Sequence, residues 1–145
     1  MKNRIICLCI LLTLIFSSSA YSQELLIFGG SGHDKFLGCF NCNPYEGDSI
    51  CNKYGEYGSI YSSSSIFNQY GKYGSSYSTE SVWNEYSSSK SIPVLVDRSG
   101  NFYGYLTINQ YHRNAVNFSS DLKRMYDFVN GDMEMLQDIL CRNWW

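Results

Sequence analysis

A phrase of sixteen residues occurs twice in succession in this chain, as NKYGEYGSIYSSSSIF over residues 52–67 and as NQYGKYGSSYSTESVW over residues 68–83. The register extends on both sides, because serine, an aliphatic residue, a cysteine or aromatic residue and asparagine follow one another at 49–52, 65–68 and 81–84. A fixed period of this length indicates a supersecondary unit that stacks on copies of itself. The repeats, over residues 45–86, therefore constrain the fold more than any other feature.

The composition of the unit argues against a helix, although its tyrosines have helical spacing. Each glycine or serine disfavours a helix interior by up to ~1 kcal/mol relative to alanine. We therefore predict short extended pieces joined by glycine turns, with one helical turn that starts at Ser65 or Ser81. We expect the serine and charged positions to face water, and one column to point into the core: Cys51, Phe67 and Trp83.

The start of the chain, residues 1–22, is predicted to be a secretory signal peptide. Lys2 and Arg4 precede an apolar run over residues 5–16, and small residues follow it. This run is shorter than the roughly 20 residues that span a bilayer. Cleavage after Ala20 or after Ser22 fits, and Ser22 is preferred because Ala20 then occupies the −3 position. The pattern predicts a protein that is secreted, periplasmic or held at the cell envelope, with no transmembrane segment after cleavage.

The remaining residues, 23–145, suffice for one small domain. They carry all thirteen acidic residues against nine Lys and Arg, which gives a net charge of −4. Nucleic-acid binding depends on neutralising phosphates with basic clusters. An acidic chain with scattered cations therefore does not predict a nucleic-acid partner.

The segments that flank the repeats predict regular structure. Strands are expected over residues 25–28, 93–96 and 102–108, and the turn residues DRSGN join the last two into a β-hairpin over 93–108. A helical tail over 119–145 is predicted as two helices, one that Ser119 or Ser120 caps and that ends at about Val129, and one from Asp132. The expected fold class is α+β, with short β/turn repeats, a β-hairpin and two C-terminal helices.

The repeats are flanked by FGGSGHDKFLGCFNC on one side and PVLVDRSGNFYGYLTIN on the other. In this order, they resemble a group of uncharacterised secreted bacterial proteins. In that group, S-x-W-N-x-Y-G-x-Y-G units precede a V-x-V-D-x-x-G-N-F-Y-G segment. The resemblance covers residues 25–109 and implies export and the repeat register. It implies no activity.

Four cysteines remain after cleavage, and an even number in an oxidising compartment predicts disulfides among Cys39, Cys42, Cys51 and Cys141. Their three possible pairings stay open. We expect the cysteines to staple an atypical first unit, as in a capping repeat. Alternatively, the C-x-x-C pair of Cys39 and Cys42 is a thiol-redox site, or it binds zinc together with Cys51 and His33.

Catalytic motifs are weak. His33 and Asp34 follow a glycine loop and could form half of an acid–base pair, but this pattern is more typical of a surface turn. Ser87 and Lys90 match S-x-x-K in a serine-rich stretch, without the partner motifs of that enzyme class. The glycine loop also lacks a phosphate-binding signature. We therefore expect a protein that is not an enzyme.

The leading hypothesis is a secreted, non-catalytic structural or binding module of the envelope or extracellular space. Tyrosines present a flat apolar face and a hydroxyl at modest entropy cost, which suits stacking on sugar rings or on another protein. The candidate binding residues are Tyr57, Tyr61, Tyr73 and Tyr77, and the expected partner is a cell-envelope glycan or protein, without a cofactor. The competing hypothesis is that these tyrosines form the core of the domain.

Overall fold

The computed structural model describes residues 22–143. The predicted signal peptide lies outside the described residues except for Ser22, and so do the last two tryptophans of the helical tail. Within residues 22–143, no helix combines the length and apolar character needed to cross a membrane. The predicted α+β class is confirmed, because the chain forms one antiparallel sheet and two C-terminal helices.

The sheet has four antiparallel strands in the order β2-β1-β3-β4, namely β1 Leu25–Gly29, β2 Lys35–Cys39, β3 Val94–Asp97 and β4 Phe102–Tyr105. Strand β1 pairs directly with β3, with Leu26 opposite Val96, although the whole repeat segment lies between these two strands in the sequence. The repeats are therefore an insertion between two strands of one sheet. Strand β2 was not predicted, because Gly38 interrupts its apolar pattern and has a left-handed φ of 106°. Strand β4 ends earlier than predicted.

The hairpin between β3 and β4 follows the turn prediction. Asp97, which is only 2% exposed, accepts hydrogen bonds from the backbone N–H groups of Ser99 and Asn101, at 2.8 and 3.0 Å. The Asn101 side chain also donates to it, at 2.8 Å. These hydrogen bonds, that from the Asn101 side chain above all, hold the pKa of Asp97 below its ordinary value of 3.8. Gly100 completes the turn with a φ of 83°.

The repeat segment is a succession of tight turns, with neither helix nor regular strand over residues 43–92. The Ser65 N–H donates to the Ser62 carbonyl at 3.2 Å, and the same bond recurs sixteen residues later from Ser81 to Ser78. The serine and asparagine side chains supply further acceptors for the backbone N–H two residues ahead, as in Asx- and ST-turns. Turns therefore replace the extended pieces and the helical turn that we expected.

Asparagine joins consecutive turns within each unit. The Asn68 carbonyl oxygen Oδ1 accepts from the Tyr70 N–H at 3.0 Å, while its Nδ2 donates to the Ser62 carbonyl at 3.1 Å. Equivalent pairs of bonds form at Asn52 and Asn84. One side chain thus satisfies two backbone groups that a sheet ladder would otherwise pair.

The core lies between the repeats and the helices. Phe67 and Trp83 are 0% and 1% exposed, as predicted for their column, although Cys51 is only half-buried. The prediction that the serine positions face water is wrong for Ser65 and Ser81, which are buried because their hydroxyls accept backbone N–H groups within the core. Phe67 stacks on Trp83 at a ring distance of 6.2 Å, and Trp83 stacks on Tyr126 at 5.8 Å. The preceding aliphatic column is also fully buried and consists of Ile50, Ile66 and Val82.

Helix α1 spans Ser119–Phe128 and helix α2 spans Met133–Asn143. The predicted start of α2 is confirmed, because the Asp132 carboxylate accepts from the Met135 N–H at 3.0 Å. The predicted cap of α1 is wrong. The Ser119 hydroxyl donates instead to the Thr107 carbonyl at 2.6 Å, and no side chain caps this helix.

Gly74 lies where the backbone folds closely on itself. A Cβ at this position would be 2.2 Å from the Asn68 carbonyl oxygen, a contact that no rotamer relieves. We therefore expect Gly74→Ala to lower the free energy of unfolding by roughly 1–3 kcal/mol, the usual cost of overpacking. Gly47→Ala is the control, because no atom lies within 4 Å of its added Cβ. Urea unfolding compares the two variants, and equal stability would contradict the close approach.

Candidate functional site

Among residues 22–143, seven tyrosines are 86–101% exposed: Tyr45, Tyr54, Tyr61, Tyr70, Tyr77, Tyr86 and Tyr111. Each follows an asparagine or a serine by two residues, and its N–H donates to that side chain at 3.0–3.3 Å. Phe67 and Trp83 make the same bond to a serine but point inward. The position within the unit therefore decides the direction, and tyrosine occupies the outward positions.

The four predicted binding residues divide into two pairs. Tyr61 and Tyr77 are at the surface, at 86% and 93% exposure. Tyr57 is half-buried, with its ring 4.9 Å from that of Phe36. Tyr73 is only 6% exposed, and burial raises the pKa of its hydroxyl above the ordinary value of 10.0.

Sequence reasoning missed Tyr54 and Tyr70 as surface residues. The available signal was the asparagine two residues before each of them, because this residue forms the turn that holds them outward. The interior tyrosines have a glycine at that position instead, and a second glycine follows them at the close backbone approach.

Four of the exposed tyrosines line three clefts in succession, which we call the tyrosine groove. Clefts of about 220, 600 and 360 Å³ lie between Tyr54 and Tyr61, between Tyr61 and Tyr70, and between Tyr70 and Tyr77, respectively. Residues of the α1–α2 loop and of the first turns of α2 also line these clefts. The groove is thus built jointly by the repeats and the helical tail.

The groove offers flat rings, hydroxyls and few charges. Within the described chain, the hydroxyls of these four tyrosines have no hydrogen-bond partner. Lys53 lies at one end, where it contacts Asp138 at 2.7 Å and Glu134 at 3.6 Å. The hydrogen bond to Asp138 raises the pKa of Lys53 above its ordinary value of 10.5. Such a surface suits stacking on a ring-shaped polar molecule, with hydroxyls available for hydrogen bonds.

The four cysteines form two disulfides, Cys39–Cys42 and Cys51–Cys141, which confirms the prediction of disulfide bonds. The alternative zinc set is not brought together, because Cys51 is bonded to the second helix and His33 contacts the Ile92 carbonyl at 3.0 Å. Among residues 22–143, the groups of potential ligand atoms within 4.8 Å of one another contain neither His33 nor Cys51. Disulfide sulfurs also lack the thiolate that zinc binds.

The weak catalytic candidates have structural partners. His33 ties its loop to Ile92, two residues before β3, and it forms no ion pair with Asp34 in the described part of the chain. The Ser87 hydroxyl donates to the Thr79 carbonyl at 2.6 Å, which orients it toward the backbone. Neither arrangement forms an activated nucleophile with a positioned base.

No family model, curated protein or solved structure matches the chain. Similarity to known proteins therefore assigns no activity. Function is inferred from the chemistry of the site, and the tyrosine groove, with its four exposed aromatic side chains, is the candidate site.

Proposed function

We propose that this protein is a secreted, non-catalytic binding module of the cell envelope or extracellular space, and that its tyrosine groove binds carbohydrate polymers. The observation that carries the proposal is the row of exposed tyrosines along one groove. Single exposed aromatic residues need no explanation, whereas an aligned row marks an interaction surface.

The energetics of the fold support this function. A ring that remains in water contributes little to stability, and the same repeats bury Phe67 and Trp83 completely. The exposed tyrosines are therefore not part of an incomplete hydrophobic core. Their backbone amides are fixed by turn hydrogen bonds, so that a ligand meets a surface that is already ordered and binding costs less entropy.

The chemistry of the groove favours sugars over nucleic acids. A pyranose ring has an apolar C–H face for stacking and hydroxyls at its edge, which matches a tyrosine ring and its hydroxyl. Lys53 is already engaged by two carboxylates and provides no phosphate-binding cluster. Several weak contacts along one polymer add up through multivalency.

The Tyr61→Ala/Tyr70→Ala double variant tests the groove. We expect its binding to an insoluble polysaccharide to weaken by roughly tenfold or more, as for buried tyrosine contacts at interfaces. Stability should change by under ~0.5 kcal/mol per site, because both side chains are exposed. Retention on peptidoglycan, cellulose and chitin, with a thermal melt of each variant, measures both effects.

The Tyr45→Ala/Tyr86→Ala double variant is the matched control, because both side chains are exposed tyrosines but line none of the three clefts of the groove. Binding by the Tyr61→Ala/Tyr70→Ala variant at wild-type strength would remove the groove as the site. If the wild-type protein binds none of these three polymers and no acidic polysaccharide, carbohydrate is excluded in favour of a protein partner.

A thiol-redox protein that uses Cys39 and Cys42 is the second candidate, and the C-x-x-C disulfide is the observation that favours it. Burial opposes it, since these residues are 0% and 3% exposed and an attacking thiolate needs access. Alkylation and mass spectrometry of the unreduced protein in a glutathione buffer decides between the two functions. Exchange at this pair would support the redox function, and two unexchanged disulfides would exclude it.

A further inference from the structure

Another cleft, of about 280 Å³, lies outside the tyrosine groove, between the end of the repeats and the loop that follows the hairpin. It is lined by Lys90, Tyr105, Asn109, Tyr111, His112 and Arg113, among others, and its lining includes two cations and no carboxylate. This composition is unusual for a domain with a net charge of −4. We call it the cationic cleft.

The two cations of this cleft have no counterion. Of the nine Lys and Arg in residues 22–143, five form ion pairs with carboxylates. Lys90 and Arg113 form none within this part of the chain, and both are exposed. Lys35 and Arg142 are also exposed and unpaired, but neither lines a cleft described above. Two unpaired cations in one concave site attract an anion, because field lines concentrate in a cleft.

The backbone around the cleft is held in place. The Asn109 Nδ2 donates to the Ser87 carbonyl at 2.9 Å, and its Oδ1 accepts from the Tyr111 N–H at 3.1 Å. Asn109-Gln110-Tyr111 has the same letters as Asn68-Gln69-Tyr70 and forms the same turn. Tyr111, which is 92% exposed, therefore presents its ring as the repeat tyrosines do, but beside cations.

A third group in the cleft also lacks a partner. The His112 Nδ1 is buried without a hydrogen bond, one of three such side-chain atoms in the described chain, and its ring lies 4.5 Å from that of Tyr105. The accessible part of the lining thus combines two charged donors and an exposed aromatic face.

We propose that the cationic cleft binds the oxyanion of an acidic sugar, a carboxylate or a sulfate ester, while Tyr111 stacks on the sugar ring. The guanidinium of Arg113 suits a carboxylate or sulfate because it can donate two parallel hydrogen bonds. The inference deepens the proposed function and rests on it, since it names an acidic unit within the carbohydrate ligand. The lining of the tyrosine groove includes the carboxylates of Asp132 and Glu134, whereas the cationic cleft is lined by none, so the acidic unit is assigned to the cationic cleft.

Polygalacturonate and its methyl ester provide a matched pair of probes, because esterification removes the charge and keeps the sugar. We expect wild-type protein to bind polygalacturonate more tightly than the ester, by roughly tenfold or more at low salt, with the difference shrinking as salt increases. The Lys90→Ala/Arg113→Ala variant should lose this preference. Dextran sulfate against dextran repeats the comparison for sulfate, and the stronger of the two preferences identifies the oxyanion.

The control is Lys35→Ala/Arg142→Ala, which removes the same charge from two other exposed, unpaired cations and should keep the preference. Thermal melts should show both variants folded, because none of the four side chains is buried or paired. The proposal is overturned if the Lys90→Ala/Arg113→Ala variant keeps the preference, if the control variant loses it equally, or if wild-type protein has none. Binding of inorganic sulfate as tightly as the polymers would overturn the sugar assignment.

Failure of this inference is distinguishable from failure of the proposed function. The Tyr61→Ala/Tyr70→Ala variant is compared with wild type on cellulose and chitin, which are uncharged and do not need the cationic cleft. If that variant binds normally while the Lys90→Ala/Arg113→Ala variant loses its preference, the tyrosine groove is not a carbohydrate-binding site but the cationic cleft is the oxyanion site. If the Tyr61→Ala/Tyr70→Ala variant binds weakly while the Lys90→Ala/Arg113→Ala variant keeps its preference, only the proposal for the cationic cleft is overturned.

Discussion

Replacing Phe67 by alanine should lower the free energy of unfolding by roughly 3–5 kcal/mol, the range for large-to-alanine changes in a core. Phe67 is 0% exposed and stacks on Trp83 of the next unit, which in turn stacks on Tyr126 of the first helix. The Phe67 N–H is fixed by the Ser65 hydroxyl, so the backbone has little freedom to collapse into the cavity. The total free energy of unfolding of a small domain is roughly 5–15 kcal/mol, so the variant is expected to be marginally stable.

Equilibrium urea unfolding with wild type and Ser63→Ala as references measures this effect. Ser63 is an exposed residue of the same unit, and its replacement should change stability by under ~0.5 kcal/mol. If Phe67→Ala and Ser63→Ala unfold at the same urea concentration, the inward aromatic column does not stabilise the stack.

Removing the Cys51–Cys141 disulfide is expected to cost about 4–5 kcal/mol. The two cysteines are 90 residues apart, and a cross-link over such a span removes much of the entropy of the unfolded chain. In the folded state, the bond joins the second helix to the first unit, where the buried Gln137 donates to the Ile50 and Gly58 carbonyls at 2.7 Å each. The Cys39–Cys42 disulfide links residues only three positions apart in the sequence, so its loss should lower the free energy of unfolding by only about 2 kcal/mol.

The two disulfides are compared in variants in which both cysteines of a pair are replaced by alanine, so that no free thiol remains to rearrange. Unfolding in urea without reductant gives the two free-energy changes. A larger loss from the Cys39 and Cys42 replacements, or equal losses, would contradict the described pairing.

Local patterns predicted the elements that depend on local chemistry. The DRSGN turn, the break between the two helices and the inward position of Phe67 each follow from a few adjacent residues or from the repeat register. Only two of the four tyrosines predicted to bind a ligand point outward. Tyrosine suits both a core and a surface, and its spacing alone does not decide between them. The asparagine two residues earlier carries that information, but its meaning depends on the turn it forms.

Features that join distant segments could not be predicted. The pairing of β1 with β3 brings together residues about 70 positions apart, and no residue pattern announces it. The cationic cleft arises in the same way, since Lys90 precedes the hairpin and Arg113 follows it. The cysteine pairing also joins distant segments, and three pairings fit the same sequence.

The side-chain hydrogen bonds of the repeats also affect how these molecules meet one another. Sheet proteins aggregate when a strand edge offers its free amides to a neighbouring molecule. Along the repeats, many amides are already bonded to a serine or asparagine oxygen of their own turn, as the Tyr54 and Tyr70 amides are. The segment that displays the most aromatic surface thus gives an incoming chain little backbone to pair with. A crowded layer of this protein can present its tyrosine rings to a ligand without itself seeding fibre growth from the repeats.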